Sequence, residues 1–279
     1  MRDFMALWNM FVELDWRKHK AAILRYAHRF CYLHAVDSIP SIDEKQLIGV
    51  QEYYNTLSLN TLNFCTNKPA TNALLWGARG CGKSSIIKAI CYNYTSLYPS
   101  LRIFEIESKD ISMLPLLFDC MRKSEYKFIV FCDDLTFMPH TEIYQGLKSA
   151  IDGSMEQQAA NIIVYATSNL RHLIPENIES NILHTQDSVH ELLALSDRFP
   201  LQIGFYNHGQ KEYLDTLSHI IQQENPMLTS DKIAKIMQEI KQDSLNFATK
   251  IGNANPRTAK NYYMLCYDKI MKIITNNTY

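Results

Sequence analysis

Gly77-Ala78-Arg79-Gly80-Cys81-Gly82-Lys83-Ser84 constrains this chain more than any other stretch. It fits G-x-x-x-x-G-K-[ST], a turn that needs a strand before it and a helix behind it to hold its shape. Ala73-Leu74-Leu75-Trp76 supplies a short apolar run that reads as a buried strand. Ser85-Ile86-Ile87-Lys88-Ala89-Ile90-Cys91 has the apolar spacing of a buried helix. Gly77, Gly80 and Gly82 admit backbone conformations closed to residues with a Cβ, so successive N–H groups can converge on a phosphate. A helix beginning near Lys83 adds unsatisfied donors and the positive end of its dipole. The expected cradle runs from Gly77 through Ser85, with Lys83 on the β- and γ-phosphates and the Ser84 hydroxyl on Mg²⁺. Such a turn reads phosphates and not the base, so it does not separate ATP from GTP.

The 279 residues leave room for one α/β domain and a smaller appendage. With 28 Lys and Arg against 29 Asp and Glu, a whole-surface electrostatic grip on nucleic acid is disfavoured, while a local patch stays open. The seven cysteines form no C-x-x-C pair, which argues against both a zinc ribbon and a disulfide framework and suits a reducing cytosol. The nine histidines show no metal spacing, and no Ser/His/Asp nucleophile arrangement is readable. No apolar run is long enough to span a bilayer. The apolar N-terminus is interrupted by Asp3, Glu13 and Asp15 and lacks a small-residue cleavage site, so a cytoplasmic chain with no membrane partner is expected. Phe4, Leu7, Trp8, Phe11 and Leu14 instead share one helical face, suited to docking on the domain or on a partner.

Residues 1–70 read as a helical N-terminal extension ending in the polar linker Thr66-Asn67-Lys68-Pro69-Ala70. From 71 to 207, strand candidates alternate with helices, the pattern of an α/β core on a parallel five-stranded sheet with helices on both faces. The strands expected are Ala73–Trp76, Leu101–Ile106, Lys127–Cys132, Asn161–Thr167 and Leu201–Tyr206. From 208 to 279 helical periodicity takes over, over about 209–223, 230–250 after Thr229-Ser230-Asp231, and 256–274 after Asn255-Pro256. A core followed by an all-helical tail suggests a nucleotide-binding domain with a lid.

Phe128-Ile129-Val130-Phe131-Cys132-Asp133-Asp134 is an apolar strand ending in two carboxylates. Parallel α/β sheets meet their ligands at the carboxyl ends of strands, which brings these acids toward the cradle. Asp133 is expected to hold Mg²⁺, and Asp134 to orient or deprotonate an attacking water. A second strand delivers Ser168 and Asn169, whose amide could fix that water or touch the γ-phosphate.

The order of these parts resembles AAA+ ATPases. A finer resemblance is to a bacterial family labelled a domain of unknown function. It is carried by Asn72–Gly80, Phe131-Cys132-Asp133-Asp134-Leu135, Leu147–Ser154, Tyr165–Leu173 and Leu195-Ser196-Asp197-Arg198-Phe199, within a span from about Leu47 to Tyr263. The resemblance implies an AAA+ P-loop fold with Asn169 as first sensor. It also implies Arg198 as an arginine finger acting on a neighbouring subunit, and Arg257, in the first turn of the last helix, as second sensor. Three departures stand out. Asp134 takes the place where many AAA+ motors have Glu, and Cys81 a place that is often Thr. Glu107-Ser108-Lys109-Asp110-Ile111 stands where protein unfoldases carry an aromatic–hydrophobic–glycine loop, which disfavours threading.

Arg17, Lys18, Lys20, Arg25 and Arg29 make the N-terminal segment basic, with Lys18, Arg25 and Arg29 on one expected helical face. A solvated face and a contact for nucleic-acid phosphates are its two readings. The chain thus reads as an oligomeric ATPase using ATP and Mg²⁺ to drive or gate remodelling of a protein or nucleic-acid client. The alternative is an ATP-gated, loader-like switch with slow hydrolysis.

Overall fold

Uninterrupted apolar and β-branched runs in the middle of the chain form strands that are buried residue after residue. Such burial means a sheet covered on both faces. The computed structural model describes residues 9–11, 13–27, 30–42, 47, 49–135, 147, 151, 159–169, 197–206 and 209–276. In chain order these form β1 (Ala21–Ala27), β2 (Phe30–Val36), α1 (Gln51–Cys65), β3 (Ala73–Gly77), α2 (Lys83–Leu97), β4 (Leu101–Glu107), a 3₁₀ segment (Ser108–Met113) and α3 (Leu114–Met121). There follow β5 (Lys127–Asp133), β6 (Ile162–Ser168), β7 (Leu201–Phe205), α4 (Gln210–Glu224), α5 (Ser230–Ile251), α6 (Pro256–Leu265) and α7 (Tyr267–Asn276). The chain divides into two units: Met1–Ile42, Glu52–Gly77 and Lys83–Gly204 form one, and Asp43–Gln51, Ala78–Gly82 and Phe205–Tyr279 the other.

The five expected strands are present, but the sheet has seven, in the order β2-β1-β4-β5-β6-β3-β7. β4, β5, β6 and β3 run parallel to one another. The added pair corrects the helical reading of the N-terminal extension. β1 pairs in parallel with β4, Ala22 opposite Phe104, and β2 pairs antiparallel with β1, Leu24 opposite Leu33. Ala22 and Leu24 are buried while Arg25 and Tyr26 are exposed. The physical reason is tertiary: β4 offers a free backbone edge, and pairing with it outweighs the modest helix propensity of Ala-Ala-Ile-Leu. The basic helical face dissolves with it, because Lys18 lies in a turn and Arg25 on a strand. Arg29, like Phe4, Leu7 and Trp8, lies outside the described residues.

Phe11 and Leu14 do dock on the domain. Phe11, Trp16 and Phe128 form a buried aromatic trio with ring centroids 5.1–5.6 Å apart. Arg102, 1 % exposed, pins this segment by donating to the carbonyls of Trp16, Pro99 and Leu101 at 2.6–2.7 Å and stacking 3.9 Å over Tyr126. Several satisfied donors are what make a buried guanidinium tolerable.

α1 is held through polar contacts. Thr61 Oγ1 donates to Leu57 O, so the buried Tyr165 hydroxyl of β6 donates to Thr61 at 2.8 Å and accepts from Asn60 at 3.1 Å. Lys127 of β5 closes the end of α1 by donating to Phe64 O at 2.5 Å and to Asn67 Oδ1 at 2.6 Å. In the second unit α4, α5, α6 and α7 bury Tyr213, Leu217, Ile221, Ile236, Ile240, Tyr262 and Ile270 in a core of their own. Gly252, with φ +74°, ends α5 in the left-handed cap. The single helix expected over 256–274 breaks at Cys266 (φ −105°, ψ 15°), giving α6 and α7.

Candidate phosphate-binding site

β3 ends at Gly77 and α2 begins at Lys83, so the motif occupies the strand–turn–helix position it requires. Gly77, Gly80 and Gly82 all lie at positive φ (115°, 80° and 94°), where side-chain-bearing residues are strained. Lys83 is buried, and its ammonium donates to Gly77 O at 2.9 Å and to Asn169 Oδ1 at 3.0 Å. The Asn169 amide in turn donates to Asp134 Oδ1. An ammonium can only donate and a carboxylate only accept, so these two neighbours fix the orientation of the amide.

A second chain of contacts ends on Asp133. Ser84 Oγ donates to Asp133 Oδ1 at 2.6 Å, and Thr167 Oγ1 donates to the same oxygen at 2.6 Å. Thr167 Oγ1 also accepts from Asp134 N at 2.8 Å, and Leu135 N donates to Thr167 O at 2.7 Å. The residues following β5 are thereby laced to the end of β6. Lys83, Ser84, Asp133, Asp134 and Asn169, distant in sequence, converge at the carboxyl ends of the strands.

Ser84 and Asp133 together offer hard oxygen donors, which suit Mg²⁺. This ion commonly takes one or two protein oxygens and fills its shell with water and phosphate. Among the described residues no cluster of three or more His, Cys, Asp or Glu could cage a metal. Ser85 follows in the first turn of α2, half-buried.

Residues 78–82 belong with the second unit, and contacts from Ala78, Arg79 and Cys81 hold them there. Ala78 N donates to Phe205 O at 2.8 Å, Cys81 Sγ to Tyr206 O at 3.6 Å, and Asn255 Nδ2 to Arg79 O at 2.8 Å. Arg79 is exposed and Cys81 buried. Arg257 is an exposed residue of the first turn of α6.

Arg198 lies elsewhere. Asn72, just before β3, donates to Arg198 O at 3.2 Å, accepts from Val164 N at 2.9 Å, and through its carbonyl receives Leu201 N. That fixes Arg198 at the strand-start edge of the sheet, one length of β3 from Lys83. Five residues at about 3.3 Å each make that roughly 16 Å.

Sequence reasoning missed Thr167, Asn72 and Glu105. Thr167 ended an otherwise apolar run, a signal that could have marked it. Glu105 of β4 stands beside Phe131 in register, and Lys88 of α2 lies 5.9 Å over that ring. Burial, against the pull of Lys88 and with the push of Asp133, raises the Glu105 carboxyl above its ordinary value. Burial also pushes the Cys132 thiol up to about 12, leaving it inert beside the acids.

The sheet and the glycine-rich turn give the chain the fold of the AAA+ P-loop NTPases. Among solved structures the chain resembles the Aeropyrum pernix Orc1 protein in complex with DNA, with TM-score 0.54 and 10 % identity, covering 85 % of this chain and 66 % of that one. A single-residue variant of Thermotoga maritima RuvB aligns with TM-score 0.47 and 13 % identity over 81 % of this chain and 72 % of that one. The family described as "Protein of unknown function (DUF815)" matches residues 17–270, and the chain belongs to it. No curated protein matches the chain in sequence. Among the described residues no helix is long and apolar enough to cross a membrane.

Proposed function

We propose that this protein binds Mg·ATP in the cradle of residues 77–85 and hydrolyses the β–γ bond to drive or gate remodelling of a partner. One observation carries the reading: Lys83, Ser84, both acids and Asn169 meet in two hydrogen-bonded chains at one edge of the sheet. Lys83 and the backbone donors of the turn neutralise and orient the phosphates. Ser84 and Asp133 would hold the ion, which supplies positive charge against the β- and γ-oxygens. Asp134 orients the attacking water and draws off its proton, and Asn169 positions Asp134. Arg257 senses the γ-phosphate from the start of α6.

Arg198 stands too far along the sheet to serve the P-loop of its own chain, which supports a finger acting on a second copy and hence a homo-oligomeric enzyme. A cytoplasmic location and a protein or nucleic-acid client complete the proposal. The Orc1 structure holds DNA, and the fold likeness makes nucleic acid the client to try first.

A second reading, the ATP-gated switch, is favoured by Asp134. Its arm is one methylene shorter than that of Glu and its Oδ1 is held by Asn169, which sets the base back from an attacking water and suits slow hydrolysis. Calorimetry with Mg·ATP tests the shared ground. Wild type should bind, Lys83→Ala should lose at least about tenfold in affinity, as for loss of a charge-assisted contact, and Asp133→Asn should lose the Mg²⁺ dependence. Equal affinity in all three would refute the cradle.

A further inference from the structure

Asn255 does two things with one amide. Its Oδ1 accepts from Thr258 N at 2.9 Å and from Thr258 Oγ1 at 3.1 Å, capping α6. Its Nδ2 donates to Arg79 O in the phosphate turn at 2.8 Å. Asn255 and Thr258 are each 4 % exposed, so both ends of the amide are committed away from water. The Thr258 N–H can only donate, which fixes Oδ1 toward α6 and leaves Nδ2 no direction but the turn. Gly80 is fitted to this arrangement: a Cβ there would stand 2.4 Å from Nδ2 and 2.8 Å from Cγ, besides the strain of φ +80°.

We infer that Asn255 is a positioning residue for nucleotide binding, holding the Arg79–Gly80 peptide in its phosphate-binding conformation and tying it to the start of α6. This role presupposes a nucleotide in the cradle of residues 77–85. Phosphates draw on the N–H groups of the turn, and the turn pulls on the helix that carries Arg257. By linkage, whatever moves α6 changes nucleotide affinity by the factor with which nucleotide changes α6.

Serine and aspartate separate the two duties, since both cap helices as asparagine does but neither presents an amide N–H to Arg79 O. Asn255→Ser and Asn255→Asp should both still fold, with a nucleotide-free unfolding temperature a few degrees below wild type because Arg79 O loses its donor. Both should bind Mg·ATP more weakly, by about three- to tenfold for serine, as for loss of one hydrogen bond, and by more for aspartate, which adds a negative charge. A purely structural residue would lower the unfolding temperature and leave the affinity of the folded protein for Mg·ATP unchanged. Hydrogen exchange gives a second readout, independent of affinity. Saturating Mg·ATP should slow exchange at residues 79–82 and also at 257–260 of the wild type, and in Asn255→Ser only at the first segment. Wild-type affinity in both variants, or no change at 257–260 of the wild type, would overturn the role. Absence of Mg·ATP binding by the wild type, with Lys83→Ala indistinguishable from it, would overturn the nucleotide reading beneath it.

Discussion

Asp134 sits at φ +57°, in the left-handed region that aspartate and asparagine tolerate far better than glutamate. The short acid in a place where many AAA+ motors carry Glu therefore has a backbone reason. Asp134→Asn should keep fold and nucleotide affinity while turnover drops at least about a hundredfold, as for loss of a general base, a split read by calorimetry beside a phosphate-release assay. Asp134→Glu should lower stability by about 1 kcal/mol in denaturant titration. Glu105 gives a pH test. Its folded-state pKa is raised, chiefly by burial, so the native state holds a proton that the unfolded chain releases near 4.5. Stability is therefore lost as pH rises from there through the raised value. Glu105→Gln should be more stable than wild type near neutrality, the advantage vanishing in acid; a gap that widens in acid would reverse the assignment.

Among the elements, those whose neighbours in sequence explain them were legible, and those explained by distant partners were not. β3, β5 and β6 are apolar through their middles because both faces are covered, and their ends fell close to expectation. α6 announced itself through Asn255-Pro256, yet that pair was read only as a cap, since nothing local shows Arg79 O on the far side of the amide. β1 and β2 were hidden because Ala21–Leu24 suits a helix and only β4 makes it a strand. The β-rich run Phe30-Cys31-Tyr32 was the signal that could have shown it. Thr61 and Asn60 likewise read as ordinary polar helix residues until Tyr165 is set beside them. Tyr165→Phe should cost about 1–2 kcal/mol by leaving that buried pair short of partners, whereas wild-type stability on thermal unfolding would show the contacts to be idle.

At the scale of the whole molecule, the Lys83 cluster and Arg198 stand at opposite edges of one sheet, and the proposed chemistry needs both. On the proposal that Arg198 serves a neighbour's phosphates, each copy would offer its phosphate site to one neighbour and its arginine to another. The most direct measurement is ATP hydrolysis by an equimolar mixture of Lys83→Ala and Arg198→Ala. Each variant alone should be nearly inactive, the first without a bound phosphate and the second without a finger. The mixture should recover a substantial fraction of wild-type turnover, rising with protein concentration. A mixture as inactive as its parts, beside a wild type whose specific activity is the same at every concentration, would contradict catalysis shared between copies.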